Sequence, residues 1–485
     1  MGSLCPSTND STLTQSSPSL VRPIDMKFIS NIQTFLPKNK KFFQDVYEVE
    51  NRKLGFGHYG DVNKCVHKET GTIRAVKLIN RERIGSHSLE ENWFFKQIEL
   101  LSQIDHPCFI RFHEFFEERD YFFLIMDYHR EGDLLQKLRS FRKLPEKFVK
   151  KVMKNVIMGV SYLHSLRIVH RDLKPENILV TEKDEDVIVK IIDFDTAARL
   201  NEVGVVSGLF GTAYYMAPEL LQPEYNEKCD MWSVGIIMFN LLTGLMPYGG
   251  LSDHKVASNI QKFQINLSMP ELSLVSETCK NLLSKLLKKD PKKRIDAETA
   301  LNDEWFKNSS DSEKTEKILS SIVRSKVKNP VVKDYLISNF SIIKDFEDLD
   351  RAFIELDTDH DGIVSFSDMK NLFFMYNSEP VAVEKSDKLL INFREYTEDF
   401  LTYSDFLNAT INLRNILDEK RISRFLNKRV EKKLSRGFGE TTEGENLTRD
   451  EESDDWFLDL KDKIDHDMTP QDFRGAVLTK LFVNF

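Results

Sequence analysis

The sequence is poor in cysteine, has no long uninterrupted apolar segment and carries no excess of positive charge. Its five cysteines among 485 residues are scattered; their spacing fits neither a disulfide framework nor a zinc site, which favours a reducing compartment. Polar residues interrupt the most apolar stretch, residues 231–248, so we expect a core helix there rather than a membrane span. The formal net charge of −9 argues against a nucleic-acid binder. Together these absences favour a cytoplasmic protein of several domains, at about 150 residues each.

The most informative segment that is present is His170–Asn177, HRDLKPEN, which follows an apolar run. In phosphoryl transfer, one carboxylate accepts the proton of the attacking hydroxyl group, and a nearby amide holds a metal ion. The spacing of Asp172, Lys174 and Asn177 matches a catalytic loop of this kind. The segment therefore predicts catalysis rather than packing.

Three further motifs follow the order that this chemistry requires. A glycine-rich segment at residues 54–62 would let the backbone close over a triphosphate, although alone it fits an ordinary hairpin equally well. Lys77 lies in a strand-like stretch, which suits a phosphate contact. Asp193 ends an apolar strand, which suits a Mg²⁺ ligand. The combination is far more specific than any one motif.

Over residues 47–306 the chain resembles a eukaryotic protein kinase. The resemblance implies an α+β, bilobal fold with a β-rich small lobe and a helical large lobe. It also implies that Asp172 accepts the substrate proton beside Lys174, that Lys77 holds the phosphates of ATP, and that Asn177 and Asp193 bind Mg²⁺. The other nucleotide-contacting positions that it implies are Leu54, Gly55, Phe56, Gly57, His58, Tyr59, Gly60, Val62, Ala75, Met126, Asp127, His129 and Asp133.

The same resemblance assigns a branch and a framework. Lys174 together with Thr212 resembles the serine/threonine branch. Asp230 resembles the buried carboxylate that holds the catalytic loop, and Glu219 resembles the partner of Arg294 in a structural ion pair. Glu176 and Asp133 occupy positions that imply protein substrates with basic residues near the target Ser/Thr, although either side chain could be a solvated surface charge.

Two positions depart from the kinase pattern. Gln97 stands where the family has the glutamate that pairs with the strand lysine, so we expect weaker positioning of Lys77. Asp195 stands where the family has glycine, and its Cβ would cost roughly 1–2 kcal/mol in a left-handed conformation. These departures leave a pseudokinase with weak or no phosphotransfer as the alternative to an active kinase.

A second signal is the acidic segment 357–368, DTDHDGIVSFSD. Its oxygen ligands, its glycine at position 6 and its apolar position 8 match an EF-hand loop, with apolar helical periodicity on both sides. An acidic turn between two helices is the alternative. The expected Ca²⁺ ligands are Asp357, Asp359, Asp361, the Ile363 carbonyl, Ser365 and Asp368. Asp368 replaces the usual glutamate, which favours Mg²⁺ or weaker Ca²⁺ binding.

Later EF-hand units are incomplete. Residues 400–407 and 465–473 resemble exit halves of EF-hands, but Arg394 and Tyr396 occupy the first ligand positions of one of them. A kinase domain followed by such units resembles the calcium-dependent protein kinase family. This resemblance implies a kinase domain at 45–306, an autoinhibitory junction at 307–345, and an all-α, calmodulin-like EF-hand domain at 346–485 with one well-formed loop.

Two remaining segments bear on regulation. Residues 318–328 alternate apolar and basic residues at helical spacing, as in a helix that an EF-hand domain grips; ordinary packing on the large lobe is the alternative. Residues 1–44 begin rich in serine, threonine and proline, which predicts a disordered extension. Because Pro6 interrupts the myristoylation pattern, we expect membrane association only if Gly2 is acylated, with Cys5 then available for palmitate.

Overall fold

The computed structural model describes residues 36–57, 59–87, 92–183, 186–307, 336–376, 379–393, 400–411, 416–417, 419–436 and 468–481. The basic amphipathic segment 318–328 and the lipidation residues Gly2 and Cys5 lie outside these ranges. His58, Arg394 and Tyr396 also lie outside them.

The first lobe is built on a six-stranded sheet with the order β1-β5-β6-β4-β3-β2. The strands are β1 Lys38–Asn39, β2 Tyr47–Phe56, β3 Gly60–His67, β4 Ile73–Asn80, β5 Phe112–Glu117 and β6 Tyr121–Asp127. The accompanying helices are α1 Phe43–Val46, α2 Arg81–His87 and α3 Trp93–Leu101. Helix α3 packs on the sheet through Phe94, whose ring stacks on Phe122 at 3.9 Å. This contact packs α3 against β6, the neighbour of β4, which carries Lys77.

Residues 36–44 are ordered, whereas the sequence predicts a disordered extension over 1–44. Strand β1 pairs in parallel with β5, and Phe43 is buried among the rings of Tyr47, Phe116 and Phe123. Burying an aromatic ring and pairing an edge strand offset the entropy of ordering this short segment. The polar composition further upstream gave no sign of this anchor.

The second lobe is mainly helical. Its helices are α4 Leu134–Phe141, α5 Glu146–Ser165, α6 Lys228–Thr243, α7 Asp253–Lys262, α8 Glu277–Leu286 and α9 Ala297–Leu301. Its short strands are β7 Ile168–Val169, β8 Ile178–Lys183, β9 Asp186–Ile191, β10 Ala198–Arg199, β11 Val206–Ser207 and β12 Glu224–Tyr225. Every residue of α6 after Lys228 is buried, which confirms a core helix in the apolar stretch 231–248. In the part of the chain that the structure describes, no helix is long and apolar enough to span a bilayer.

The third region is helical apart from one short ribbon. Its elements are α10 Glu347–Leu356, β13 Val364–Ser365, α11 Phe366–Tyr376, α12 Glu379–Phe393, β14 Phe400–Leu401, α13 Tyr403–Thr410, α14 Glu419–Arg436 and α15 Pro470–Leu481. Strands β13 and β14 pair antiparallel. The region has its own apolar core, which includes Leu336, Ile337 and Phe340 as well as residues after 346. A lobe built on a sheet, a mainly helical lobe and a further helical region confirm the expected fold class.

The helical region contacts the first two lobes through buried polar groups. Lys190 Nζ lies 2.8 Å from Asp350 Oδ2, and both side chains are almost fully buried. Arg74 donates to the carbonyl oxygens of Ser338 and Ser341 at 2.6 and 2.9 Å. Because buried charges must be paired and hydrogen-bonded, these contacts fix where the helical region lies.

Candidate active site and calcium-binding loop

The catalytic loop is held by a buried carboxylate at the start of α6. Asp230 Oδ2 accepts the backbone N–H of His170 and Asp230 Oδ1 accepts that of Arg171, each at 2.9 Å. Burial raises the pKa of Asp230, but His164, His170 and the backbone hydrogen bonds outweigh burial and lower it overall, so the side chain stays ionised. Arg171 adopts a left-handed φ of 70°, a conformation that such contacts can enforce at functional sites. The expected role of Asp230 is confirmed.

Asp172 lies in a closed set of hydrogen bonds. Lys174 Nζ donates to Asp172 Oδ2 at 2.6 Å and to Thr212 Oγ1 at 3.0 Å. Thr212 Oγ1 in turn donates to Asp172 Oδ1 at 2.8 Å. These bonds orient one carboxylate beside one ammonium group, which is the arrangement a general base for a hydroxyl nucleophile needs.

Asn177 joins the same set. Its Nδ2 donates to the Asp172 carbonyl oxygen at 2.8 Å and lies 3.3 Å from Asp172 Oδ2. Because the amide nitrogen is used in this way, the amide oxygen is the atom left to face a metal ion. Asp193 provides a carboxylate from the next segment of chain, so the donor set is all oxygen and fits Mg²⁺.

Lys77 lies in the middle of β4, between Val62 of β3 and Leu124 of β6. Its Nζ lies 2.8 Å from Asp193 Oδ1 and also contacts Asp195 Oδ1. Although burial lowers the pKa of Lys77, the carboxylates of Asp193 and Asp195 raise it above its usual value. Asp193 itself takes a left-handed φ of 66°, which turns its carboxylate towards this ammonium group. Burial raises the pKa of Asp193, but Lys77, His170 and Lys174 lower it overall, and the Ile192 N–H donates to Asn177 O at 3.0 Å. The structure therefore places Lys77 and Asp193 beside the loop that carries Asp172 and Asn177, as the sequence predicts.

The glycine-rich segment closes over Lys77. Gly57 N–H donates to Gly60 O at 2.7 Å, and a Cβ on Gly57 would lie 2.9 Å from Lys77 Cε. A Cβ on Gly60 would lie 1.6 Å from the Leu78 carbonyl oxygen, so only glycine fits against β4 there. Gly55 faces open space, so its lack of a side chain is not explained by a contact within the protein. The glycine-rich segment therefore lies directly against the lysine that is expected to hold the phosphates, and its glycines fit a backbone that approaches a nucleotide closely.

The other predicted nucleotide positions divide into two groups. Leu54 and Phe56 are exposed on β2, Val62 lies beside them on β3, and Ala75 is paired across the sheet with Met126; all remain available to line an adenine pocket. Tyr59 instead is buried, with its ring 4.2 Å from that of Trp93. Its ring belongs to the core under α3. Burial and the Asp195 carboxylate raise the pKa of its hydroxyl group and Lys77 lowers it, so the hydroxyl lies near the Lys77 ammonium group.

The hinge side chains are also engaged within the protein. Asp127 lies 2.8 Å from His113 Nε2 and 3.3 Å from Arg74 Nη1. His129 Nε2 lies 2.7 Å from Thr181 Oγ1. These two residues therefore have backbone groups, rather than side chains, to offer a nucleotide. Asp133 accepts the N–H of Gln136 at 2.8 Å as the N-cap of α4, which gives it a structural role that its sequence position did not reveal.

Of the two departures from the kinase pattern, Asp195 contacts Lys77 and Gln97 hydrogen-bonds elsewhere. Gln97 Nε2 donates to Ala197 O at 3.4 Å, and its Oε1 is buried without a hydrogen-bond partner among the described residues. Asp195 contacts Lys77 directly. Burial raises the pKa of Asp195, the Asp193 carboxylate raises it further, and Lys77 opposes both. The expected backbone strain at Asp195 is wrong, because Asp193 rather than Asp195 takes a positive φ. The sequence marked Asp195 as unusual but did not reveal its partner.

The acidic segment 357–368 forms a loop with converging oxygens. Carboxylate oxygens of Asp357, Asp359 and Asp361 all lie within 4.8 Å of one another. Asp357 accepts the N–H groups of Asp361 and Gly362 at 3.1 and 3.0 Å, and Gly362 has a φ of 85°. Burial and neighbouring carboxylates raise the pKa of Asp357 to about 8 and that of Asp361 to about 7. This donor set fits Ca²⁺, which prefers carboxylate oxygens.

Asp368 is not in this cluster. Its Oδ1 accepts Thr358 Oγ1–H at 2.5 Å, and its Oδ2 accepts the N–H and Oγ–H of Ser365 at 2.9 and 2.5 Å. The aspartate is one methylene shorter than glutamate, so its carboxylate remains at the start of α11. Ser365 is engaged with it, and the Ile363 N–H donates to Asp361 Oδ1 at 3.0 Å, which leaves the Ile363 carbonyl for a metal.

The neighbouring hand keeps the fold of its exit half. Phe400 and Leu401 pair with Ser365 and Val364 across the ribbon. Thr402 and Asp405 form a reciprocal capping box at the start of α13, which stabilises the helix end. Phe406 and Leu407 are buried in the shared core. This hand therefore supports the first loop as a structural partner.

Comparison with known proteins covers both parts of the chain. The sequence model of the protein kinase domain family matches residues 47–306. Calcium-dependent protein kinase 5 of Plasmodium falciparum (isolate 3D7) is 30% identical over 409 residues, which cover 80% of this chain and 71% of that protein. Calcium-dependent protein kinase 4 of the same organism is 28% identical over 411 residues, covering 80% and 78%. Calcium-dependent protein kinase 3 of Plasmodium berghei (strain Anka) is 32% identical over 391 residues, covering 79% and 68%.

These matches extend well beyond the kinase domain and agree with the site geometry. The residues for nucleotide, metal and proton transfer converge in one cleft, and a formed EF-hand loop follows on the same polypeptide. Neither the comparisons nor the cleft favours the pseudokinase alternative. The chain belongs to the calcium-dependent protein kinase family, whose members are calcium-regulated protein kinases.

Proposed function

We propose that the chain transfers the γ-phosphate of ATP to serine and threonine hydroxyl groups of proteins, and that Ca²⁺ at residues 357–368 controls this transfer. The observation that carries the proposal is the closed set of hydrogen bonds among Asp172, Lys174 and Thr212. A carboxylate held in this way accepts a hydroxyl proton as the oxygen attacks phosphorus.

The remaining roles follow from the contacts. Lys77 would hold the α- and β-phosphates beneath the glycine-rich loop, which excludes water from above. The Asn177 amide oxygen and the Asp193 carboxylate would hold Mg²⁺, which when bound neutralises charge on the phosphoryl group. Lys174, 2.6 Å from Asp172, would orient the carboxylate and stabilise negative charge that develops on the transferred group.

Regulation is the second part of the proposal. Of the junction at 307–345, Leu336, Ile337 and Phe340 pack in the core of the helical region, so the basic amphipathic segment 318–328 is the part that would occupy the substrate cleft. The EF-hand domain would grip that segment when Ca²⁺ binds. In the full chain, Arg324→Glu with Lys326→Glu should raise activity in chelator towards the Ca²⁺ level, because the inhibitory segment then loses its basic groups. Unchanged activity in chelator would refute an inhibitory role for these residues.

Substrate choice is expected to depend on Glu176 more than on Asp133. Glu176 Oε2 is buried and, within the described ranges, accepts no hydrogen bond, whereas Asp133 is occupied as a helix cap. Glu176→Gln should raise the KM of a peptide with Arg before its serine and leave the KM of an Arg-free peptide unchanged. An equal effect on both peptides would contradict substrate contact.

One assay tests the chemistry. Radiolabelled phosphate transfer is measured with matched basic peptides that carry Ser, Thr or Tyr, using the wild type and Asp172→Asn. We expect transfer to Ser and Thr, and a loss of about 10²–10⁴-fold in the variant, which is the usual contribution of a general base. Transfer to Tyr alone, or full activity of the variant, would overturn the proposal.

Location belongs to the same proposal. We infer a cytoplasmic protein that reaches membranes only when Gly2 is acylated. Fractionation of cells that express the wild type or Gly2→Ala checks this: a wild type in the soluble fraction fits the proposal, and a membrane-bound Gly2→Ala protein contradicts it.

A further inference from the structure

Lys77 has two carboxylates in contact with it, and neither comes from helix α3. Its Nζ is paired with Asp193 Oδ1 and with Asp195 Oδ1. The α3 residue at the position where the kinase family has a glutamate, Gln97, donates instead to the Ala197 carbonyl oxygen. Compared with the kinase pattern, the surroundings of Lys77 have therefore lost a negative charge at position 97 and gained one at position 195.

Asp193 alone is a poor permanent partner for Lys77. Its carboxylate is the group that would hold Mg²⁺, so its charge is shared once the metal is present. The side chains of Lys77 and Asp195 are only 7% and 10% exposed, and a buried ammonium group needs a paired, hydrogen-bonded anion. Asp195 meets that need from a position two residues after the metal ligand, where its second oxygen is buried without a hydrogen-bond partner in the described part of the chain.

We propose that Asp195 is the positioning residue for Lys77, replacing the α3 glutamate that performs this task in other protein kinases. The inference rests on the proposed phosphotransfer activity and deepens it. In this chain the orientation of the phosphate-binding lysine is set by the segment that carries the metal ligand. Helix α3 reaches this segment only indirectly with respect to the lysine, since Gln97 donates to Ala197 O, two residues after Asp195, and shares no hydrogen bond with Lys77.

A double-mutant cycle in the full chain tests the inference. The variants are Gln97→Glu, Asp195→Gly and the two combined, with kcat and the KM for ATP measured at saturating Mg²⁺ and Ca²⁺. Asp195→Gly should lower kcat/KM about ten- to a hundredfold, the kinetic equivalent of one hydrogen bond between charged groups. Adding Gln97→Glu should restore most of that loss, whereas Gln97→Glu alone should change activity by less than about threefold, because Lys77 is already paired.

Two further variants separate charge from backbone effects. Asp195→Asn keeps the side-chain volume and removes the charge, so it should lose activity like Asp195→Gly and should also be restored by Gln97→Glu. Glu99→Gln, on a different face of α3, is the matched control and should leave activity unchanged. Thermal unfolding of each variant shows that it is folded, and restoration by Gln97→Glu is a result that a general folding defect would not give.

The outcomes are distinct. A wild type without phosphotransfer would defeat the proposed function and this inference with it. An active wild type whose Asp195→Gly and Asp195→Asn variants are equally active would defeat only the inference. The same factor for Gln97→Glu in the wild-type and Asp195→Gly backgrounds would also overturn it, because independent positions do not compensate each other.

Discussion

The catalytic cleft and the EF-hand region differ in how their sequence departs from the family pattern. In the cleft, residues far apart in the chain, such as Lys77 and Asp193, are brought within 2.8 Å, and a change at one position is matched by a change at another. In the EF-hand region, the second hand keeps its buried Phe406 and Leu407 although Arg394 and Tyr396 stand where entry carboxylates would be. The second hand thus has the apolar residues of an EF-hand without the metal ligands. Folding requires the apolar core, whereas ion binding requires the ligand oxygens.

The boundary between the two regions is held by contacts between residues far apart in the chain, and some of these residues belong to the second hand. Lys190 and Asp350 form a buried ion pair across it, with Tyr403 also donating to Asp350. Ser404 donates to Asp105 from the helix of the second hand, at 2.8 and 3.0 Å. Asp105 in turn lies in the loop between α3 and β5. The hand with the poorer ligands therefore contributes contacts to the kinase domain, which gives it a reason to remain folded.

The largest expected effect comes from breaking this boundary. Asp350→Asn leaves the Lys190 ammonium group buried and unpaired, so the free energy of unfolding should fall by about 3–5 kcal/mol. The matched control is Asp348→Asn, whose carboxylate lies 3.1 Å from Lys183 but is 63% exposed; it should cost about 0–1 kcal/mol. Chemical denaturation followed by fluorescence measures both. Equal effects would contradict a buried, structural pair.

The next effect concerns the cleft. Lys77→Ala removes the cation that contacts Asp193 and Asp195, so kcat should fall by about 10²–10³-fold, the loss seen when one charge-stabilising group is removed. Lys280→Ala, at a surface lysine 2.8 Å from Glu277, is the control and should keep full activity. Steady-state phosphate transfer checks both. Comparable kcat values for the two variants would place nucleotide binding elsewhere.

A smaller effect is expected in the calcium loop. Asp368→Glu extends the carboxylate by one methylene towards the Asp357–Asp361 cluster, so Ca²⁺ affinity should rise on the order of tenfold, within the range that ligand charge and geometry set in EF-hands. Asp357→Asn should weaken binding. Calorimetric titration of the full chain measures both. Weaker binding by Asp368→Glu would show that the loop cannot use the longer ligand.

The last expected effect is on the pH dependence of calcium binding. The pKa values of Asp357 and Asp361, about 8 and about 7, lie above the usual value for aspartate, so both groups gain protons as pH falls from 8 to 6. Ca²⁺ must displace those protons, so affinity should fall by up to about tenfold per pH unit for each proton released. By the same sign, the metal-free fold gains stability as pH falls through this range. Titrations at pH 8, 7 and 6 check the trend, which a pH-independent affinity would contradict.

Much of the cleft could be predicted from the sequence because each motif fixes residues over a short span. Asp172, Lys174 and Asn177 lie within one loop, and their chemistry restricts which residue types fit there. Contacts between segments left no such local pattern: nothing near Asp195 indicates Lys77, and nothing near Lys190 indicates Asp350. The ring of Tyr59 packs on Trp93 and Asp133 caps helix α4. Their positions in the family pattern did not indicate these roles. The EF-hand loop was predicted from ligand spacing, but the engagement of Asp368 by Thr358 depends on side-chain geometry.

The central claim is that the loop at Asp357 controls the chemistry at Asp172. Phosphate transfer to a basic serine peptide is measured across a Ca²⁺ titration for the wild type and for Asp357→Asn at constant Mg²⁺ and ATP. The account predicts that wild-type activity rises with Ca²⁺ and that the variant requires more Ca²⁺ or stays at the level seen in chelator. Equal wild-type activity in Ca²⁺ and in chelator would contradict it.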